Sequence, residues 1–259
     1  MIDVALVAYL NTRPFMDGFE ALISEKEACF HLYPPAACAD ALFEKKCQIA
    51  LIPVGSLPRF HRLSIMPNYC LGANGPVESV FLFSQRPVDK LDTILLDPHS
   101  NTSNGLVQIL MRYHWKHTVN FVMPDQKHFD LIDGNVGGVI IGDKALHVRN
   151  HYRYAYDLSG EWQKMTGLPF AFAVWAYYPG QVPAQFLQKM NDAMRWGVHR
   201  LEACAERWAA AYKVSLPEAT RYLTESLNFR FDAPKHRAVE LYYQALRNLS
   251  VSEPQVLNQ

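Results

Sequence analysis

The first two-thirds of the chain repeat one pattern, in which a short apolar run is followed by a polar corner and then by a helical segment. The apolar runs are continuous rather than alternating, which is typical of parallel strands covered by helices on both faces. This pattern predicts an α/β fold. The predicted strands cover residues 4–10, 49–54, 93–96 and 136–141, with a further apolar run at 80–83, and the predicted helices cover 14–24, 37–46 and 102–115.

From residue 183 onward the pattern changes to helices alone. Apolar residues recur at helical spacing from Phe186 to Trp208, which predicts one long helix. The tetrapeptide Ser-Leu-Pro-Glu at 215–218 has the form of a capping box and predicts the start of a second helix. Asp232, followed by Pro234, predicts the start of a third.

Two places along the chain predict a change from one lobe to another. Pro87 follows an apolar run, and a second break lies between Trp175 and Pro179. Two crossings of this kind build one lobe from both ends of the chain and insert the other between them. We therefore predict that residues 1–86 and 175–259 form lobe I, that 87–174 form lobe II, and that a substrate cleft separates them.

Composition narrows the function classes. The 259 residues contain 25 Lys+Arg and 25 Asp+Glu without a basic run, which argues against nucleic-acid binding. Hydrophobic residues make up 49% of the chain, enough to bury a core and to exclude disorder. Five cysteines without a Cys-x-x-Cys pair argue against a disulfide framework or a thiolate zinc site and favour a reducing compartment.

The N-terminal segment predicts a first strand rather than a targeting signal. Met1 leads into an apolar run that has neither a basic region nor a small-residue cleavage site. No apolar stretch approaches the roughly 18 residues that a membrane helix requires. The sequence therefore predicts a cytoplasmic protein without a membrane partner.

Polar side chains collect at the corners that follow the predicted strands, where open α/β sheets bind their ligands. Most are neutral hydroxyls and amides, which hold a carboxylate or phosphate at a helix start without a counter-charge. The sequence therefore predicts a small anionic ligand. Helix capping explains Ser100, Thr102 and Ser103 equally well, and a turn residue is the simpler interpretation of Asn11. The corners are 9–13, 55–56, 75–79, 97–103 and 142–143.

Motifs for the common cofactors and nucleophiles are missing from the sequence. It contains no G-x-G-x-x-G, G-x-x-x-x-G-K-[ST] or G-x-S-x-G, so a nucleotide cofactor and a serine-hydrolase site lose support. His114 with His117, and His147 with His151, have the spacing of paired metal ligands, but no further ligand completes either set. Surface histidines are the simpler interpretation.

Six motifs resemble, in order, those of one enzyme family. They are Tyr-Leu-Asn-Thr-Arg-Pro at 9–14, Ile-Pro-Val-Gly-Ser-Leu at 52–57, Ser-Val-Phe-Leu-Phe-Ser at 79–84, Leu-Asp-Pro-His-Ser-Asn-Thr-Ser at 96–103, Ile-Gly-Asp-Lys-Ala-Leu at 141–146, and segments between 157 and 175. In these motifs the chain is similar to the chorismate dehydratases, which catalyse the first step of the futalosine route of menaquinone biosynthesis.

This resemblance implies a two-lobed fold like that of the type 2 periplasmic binding proteins, used as a hydro-lyase that converts chorismate to 3-[(1-carboxyvinyl)oxy]benzoate and water. It implies no metal and no organic cofactor, and it implies a small dianionic substrate as the partner. It is compatible with a homodimer. Asn11 and Ser79 match the catalytic residues of the family. The residues expected to bind substrate are Tyr9, Ser56, Ser100, Asn101, Thr102, Ser103, Gly142, Asp143, Gly167, Leu168 and Pro169.

The implied chemistry gives each group a hypothetical role. Asn11 and Ser79 position the departing hydroxyl and the reacting edge of the ring, while the turn at 100–103 holds a carboxylate. The enolpyruvyl carboxylate of the substrate takes the C3 proton, with Asp97 or Asp143 as the alternative proton carrier. Two other functions fit the same fold: an enzyme similar to the 1,4-dihydroxy-6-naphthoate synthase of the same pathway, and a small-carboxylate solute-binding protein without catalysis.

Overall fold

The computed structural model describes residues 1–124 and 129–251, which form two β-sheets surrounded by helices; parts of both expected lobe ranges, 125–128 and 252–259, lie outside the described residues. The strands are β1 (Ile2–Val7), β2 (Ala28–Tyr33), β3 (Ile49–Pro53), β4 (Ser64–Ala73), β5 (Val80–Ser84), β6 (Thr93–Leu95), β7 (Asn120–Val122), β8 (Val136–Ile141), β9 (Tyr154–Asp157), β10 (Phe170–Tyr177) and β11 (Asn228–Phe231). The α-helices are α1 (Arg13–Leu22), α2 (Pro35–Phe43), α3 (Asn101–Ile109), α4 (Asp143–Val148), α5 (Leu158–Thr166), α6 (Ala184–Val198), α7 (Leu201–Trp208), α8 (Leu216–Arg221) and α9 (Ala233–Val251).

The first sheet has six strands in the order β11-β4-β10-β3-β1-β2. β1 runs parallel to β2 and β3, as the continuous apolar runs predict. β10 runs antiparallel to β3 and β4, and β11 runs antiparallel to β4. The α/β prediction is confirmed, although the sheet is mixed because β10 enters it from the opposite end.

The second sheet has five strands in the order β7-β6-β8-β5-β9. β6 runs parallel to β7 and β8, whereas β5 lies between β8 and β9 and is antiparallel to both. We call the first sheet with its helices the first lobe, and the second sheet with its helices the second lobe. Both sheets contribute buried side chains to one continuous hydrophobic core.

Over residues 1–124 and 129–251 the chain crosses between the lobes twice, and both crossings precede the positions predicted from the sequence. β5, which the sequence prediction assigned to lobe I, pairs only with strands of the second sheet, so the first crossing covers 74–79. β10 begins at Phe170 in the first sheet, which places the return crossing at 167–169. Pro87, predicted as the boundary, instead starts a short 3-10 turn after β5.

The predicted long helix from Phe186 to Trp208 is wrong, because the chain bends at 199–200 and forms α6 and α7. Gly18 of α1 and Gly197 of α6 let the two backbones touch, and a Cβ at either position would overlap the other helix. After this close approach α7 turns to contact both α1 and α8. A helical repeat of apolar residues predicts which side is buried, but it cannot locate such a bend.

The other helix starts differ in how they are capped. Ser215 precedes α8, yet its side chain makes no capping hydrogen bond, so the predicted capping box is not formed. Asp232 accepts a hydrogen bond at 3.2 Å from the backbone N–H of Lys235 at the start of α9, as expected.

The described part of the chain contains no helix long and apolar enough to cross a membrane. All five cysteines are free, and four of them are buried.

Candidate active site

A cavity lies between the lobes, beyond the carboxyl ends of β1, β3 and β8 and against the start of α3. A cleft between two lobes, with a mostly apolar wall and a few convergent polar groups, is a typical site for a small molecule. The sequence-predicted residues that line the cavity are Tyr9, Asn11, Ser79, Ser100, Thr102, Ser103 and Gly142. Most of its other wall is apolar and comes from Val7, Pro35, Pro53, Leu71, Val77, Val80, Ile141, Phe172, Ala173 and Leu227.

Asn11 and Ser79 are joined by a third residue, Tyr222. The Nδ2 atom of Asn11 donates to the Tyr222 hydroxyl at 3.3 Å, and that hydroxyl donates to Oγ of Ser79 at 2.8 Å. Tyr222 is only 1% exposed, and burial raises the pKa of its hydroxyl well above the ordinary value. Tyr222 therefore remains a neutral hydrogen-bond donor at physiological pH.

This chain of hydrogen bonds leaves two groups with unmet hydrogen-bonding capacity. Oδ1 of Asn11 is buried and has no hydrogen-bond partner among the residues that the structure describes. The oxygen of Ser79 already accepts from Tyr222, so the Ser79 hydroxyl proton is free to be donated. A buried acceptor without a partner is costly unless something else satisfies it, and a bound hydroxyl group would.

The turn that carries Asn11 is held from both lobes. Thr12 donates its hydroxyl to the carbonyl oxygen of Val7 at 2.6 Å, which folds the chain back at the end of β1. Across the cleft, Oδ1 of Asp143 accepts from the backbone N–H of Leu10 at 3.1 Å. Burial raises the pKa of Asp143 to about 6, against the weaker opposing effect of the Leu10 hydrogen bond. Asp143 lies outside the cavity lining and acts on Asn11 through the backbone.

Tyr9 and Gly142 close the cleft beside this turn. Gly142 has φ +67°, and a Cβ at this position would lie 2.7 Å from the Tyr9 ring. Only glycine fits both the backbone angle and the contact. Burial, reinforced by the negative charges of Asp97 and Asp143, raises the pKa of Tyr9, so its hydroxyl also stays protonated.

The start of α3 combines capping with contacts between the lobes. Ser100 caps the helix by accepting from the N–H of Ser103 at 3.2 Å, and it donates to Oγ of Ser103 at 2.7 Å. The Thr102 hydroxyl accepts from the N–H of Gly55 at 3.0 Å and donates to the carbonyl of Phe172 at 3.1 Å. Thr102 thus fastens the second lobe to the first, while Ser100 and Ser103 keep the cavity-facing helix start in place.

Asn101 and Ser56 lie outside the cavity lining and form a second contact between the lobes. Nδ2 of Asn101 donates to Oγ of Ser56 at 3.0 Å. A Cβ on the neighbouring Gly55 would lie 2.8 Å from the Asn101 carbonyl and from the Thr102 nitrogen, so glycine permits this close approach.

The segment Gly167, Leu168 and Pro169 also lies outside the cavity lining and forms the end of α5. Gly167 has φ +71° and donates its N–H to the carbonyl of Gln163 at 2.8 Å, as a left-handed helix terminus does. The Leu168 N–H donates to the Thr166 hydroxyl at 3.1 Å. These residues direct the return crossing into β10 rather than facing the cavity.

Tyr222 was not predicted from the sequence. It stands 143 residues after Ser79, on a single π-helical turn, Tyr222–Ser226, in a part of the chain that reads as a plain helix. Tyrosine at a buried helical position is ordinary core composition. A π-helical turn is itself common at functional sites, but only the structure reveals it.

Among the described residues one group offers three metal-ligating atoms within 4.8 Å of one another: Asp3, Cys29 and His31. It lies on the paired strands β1 and β2, away from the cavity lining. His31 Nε2 is only 2.8 Å from Oδ1 of Asp3, which is a direct hydrogen-bond contact rather than two ligands separated by a metal.

Two α/β lobes with a cavity between them, joined by two crossings within the described residues, define the class of proteins with a periplasmic-binding-protein-like fold. A crystal structure of a protein from Archaeoglobus fulgidus matches with a TM-score of 0.78 at 12% identity, over 96% of this chain and 98% of that one. A Candida albicans protein described as having the generic periplasmic binding protein fold matches with a TM-score of 0.67 at 11% identity, over 98% and 92% of the two chains. A family model described as menaquinone biosynthesis matches residues 2–248, and the chain belongs to this family.

Two curated relatives are chorismate dehydratases. The one from Thermus thermophilus is 26% identical over 209 residues, which cover 71% of this chain and 73% of that protein. The one from Campylobacter jejuni is 24% identical over 246 residues, which cover 94% of this chain and 93% of that protein.

Proposed function

We propose that this protein removes water from chorismate to give 3-[(1-carboxyvinyl)oxy]benzoate. Family membership and the two dehydratase relatives support the reaction, and the cavity between the lobes supports a small substrate. The observation that carries the proposal is the chain from Asn11 through Tyr222 to Ser79. It places a spare acceptor and a spare donor together at the wall of the cavity.

The reaction removes the C4 hydroxyl and the C3 proton of chorismate. The C3–H electron pair becomes the new ring double bond while the C4–O bond breaks, and the hydroxyl and the proton leave together as water. The ring becomes aromatic, which makes the step strongly favourable. The protein therefore has to orient the substrate and to stabilise the departing oxygen as its negative charge develops.

Ser79 and Asn11 supply what the departing oxygen requires. The Ser79 hydroxyl donates to that oxygen, and Tyr222 strengthens this donation because it already donates to Ser79. Oδ1 of Asn11 accepts a hydrogen bond from the C4 hydroxyl of the bound substrate and so fixes the orientation of that hydroxyl. Because the pKa of Tyr222 is raised by burial, this residue keeps its proton throughout.

The start of α3 binds a substrate carboxylate in this proposal. Ser100 and Ser103 line the cavity at the positive end of the helix dipole, which favours an anion. No Asp or Glu belongs to the cavity lining within the described residues. We therefore assign the C3 proton to the substrate's own enolpyruvyl carboxylate, which passes it to the departing hydroxide to form water, rather than to Asp97 or Asp143, which lie outside the cavity lining.

The test incubates the purified chain with chorismate alone and follows water loss by mass spectrometry. We expect a product lighter by one water, and turnover that persists after the protein has been dialysed against a chelator. Chorismate that binds but stays intact would contradict the proposal and favour the solute-binding function. Ser79→Ala separates chemistry from binding, because it should abolish most turnover while chorismate still binds.

A further inference from the structure

Two pairs of neighbouring residues face each other beside the cavity. Tyr222 donates a hydrogen bond to Ser79. The residues that directly precede these two, Arg221 and Glu78, form an ion pair with each other. Both pairs span 143 residues of sequence. The first crossing between the lobes and the start of the turn Tyr222–Ser226 are thus joined at two successive positions.

Glu78 gathers partners from both lobes. One carboxylate oxygen accepts from Arg221 and, at 2.9 Å, from the Ser226 hydroxyl. The other accepts from Arg149, in the second lobe, at 3.1 Å. Burial of this side chain, which is 16% exposed, opposes its charge, but these hydrogen bonds and the charge of Arg221 lower the pKa of Glu78. The carboxylate is therefore charged at neutral pH.

The backbone of Glu78 adopts an uncommon conformation for a residue other than glycine. Its φ is +62°, in the left-handed region where a residue with a Cβ is disfavoured. Its N–H donates to Oδ2 of Asp157 at 2.6 Å, which holds this conformation. Glycine would adopt the same angle at lower cost, whereas only a long acidic side chain reaches Arg149, Arg221 and Ser226 together.

We propose that Glu78 and Arg221 are positioning residues, whose ion pair holds the Tyr222 hydroxyl on Ser79 and fastens the turn Tyr222–Ser226 to the crossing beside the cavity. The inference rests on the proposed function. Neither residue belongs to the cavity lining, so both act through Ser79 and Tyr222. Arg149 extends the contact into the second lobe.

A double-mutant cycle tests this role. Glu78→Gln and Arg221→Gln should each lower kcat for chorismate about tenfold with KM changed less than about twofold, because a small misplacement of a catalytic group slows the chemical step. Arg221→Lys should recover most of the loss. In a Tyr222→Phe background, Glu78→Gln should lower kcat by less than twofold further. An equal tenfold loss in both backgrounds, or wild-type kcat in Glu78→Gln, overturns the proposal.

Arg59→Gln is the matched control, since it breaks an exposed ion pair with Asp40 that lies away from the cavity lining. It should leave kcat unchanged. Denaturant unfolding of all variants identifies any loss of kcat that comes from a partly unfolded sample.

Amide hydrogen exchange without substrate gives a second readout. Residues 222–226 should exchange faster in Glu78→Gln than in wild type or Arg59→Gln, and unchanged exchange overturns the proposal. If wild-type protein does not dehydrate chorismate, the proposed function fails, and the exchange experiment still decides whether Glu78 holds this turn.

Discussion

The two polar sides of the cavity differ in how many of their hydrogen bonds are already made. At the start of α3 the Thr102 hydroxyl both accepts and donates within the protein, and Ser100 is bonded to Ser103 twice. At the opposite side Asn11 keeps a buried oxygen without a partner in the described chain, and Ser79 keeps a spare proton. Both sides belong to the motifs that first pointed to function.

This difference separates Thr102, which holds the lobes together, from Asn11 and Ser79, which are available for chemistry. A side chain whose hydrogen bonds are all satisfied contributes stability and geometry, whereas one with unmet capacity can stabilise a bound or reacting group. The comparison leads to four predictions, from the largest expected effect to the smallest.

Ser79→Ala should have the largest effect on catalysis. It removes the donor proposed for the departing oxygen and should lower kcat by about 10²–10³-fold, as the loss of one transition-state donor does elsewhere. Steady-state kinetics with chorismate measure it, and isothermal titration measures binding. A variant with normal kcat and weakened binding would show that Ser79 holds the substrate without taking part in the chemical step.

Thr102→Val should instead act chiefly on stability. Valine keeps the shape of threonine but leaves the Gly55 N–H and the Phe172 carbonyl without their partner. We expect a loss of about 2–3 kcal/mol in the free energy of unfolding, with a far smaller loss of kcat than Ser79→Ala causes. Urea denaturation measures the first quantity. A stable variant with a collapsed kcat would show that Thr102 belongs with Ser79.

Asp143→Asn should make stability less dependent on pH. Because burial raises the pKa of Asp143 to about 6, the folded state holds this proton more tightly than the unfolded state, and wild-type stability falls as pH rises from about 4 to 6. Asparagine retains an acceptor for the Leu10 N–H without the buried charge. The variant should gain about 2 kcal/mol relative to wild type above pH 6 and nothing near pH 4.

Unfolding midpoints at several pH values between 4 and 8 measure this gain. A gain that is equal at every pH would mean that the charge of Asp143 costs nothing in the folded state.

Ser56→Ala should have the smallest effect. It removes the acceptor of the Asn101 side chain, but Asn101 is exposed and can bond to water instead. The free energy of unfolding should fall by about 0.5–1 kcal/mol. Urea denaturation beside Thr102→Val measures the difference between the two contacts; a larger loss for Ser56→Ala than for Thr102→Val would reverse their ranking.

Much of the fold followed from local pattern. The continuous apolar runs predicted β1, β3, β6 and β8, and Ser100 was recognised as a cap because capping depends on residues only three positions apart. Features that depend on contacts between distant segments were harder to predict from the sequence. The bend between α6 and α7 brings α7 into contact with α1, which is distant in the sequence, and the assignment of β5 to the second sheet depends on its partners β8 and β9.

The sequence by itself determined the α/β class, the polar corners and the ordered motifs, because each depends on residues that are close in the chain. Only the tertiary structure decided which residues of those corners line the cavity and which of them join the lobes. It joined Tyr222 to Ser79 across 143 residues, used Thr102 and Asn101 between the lobes, and left Gly167 outside the cavity lining. The physical reason is that a polar group's availability depends on which partners the fold brings to it, and those partners come from distant segments.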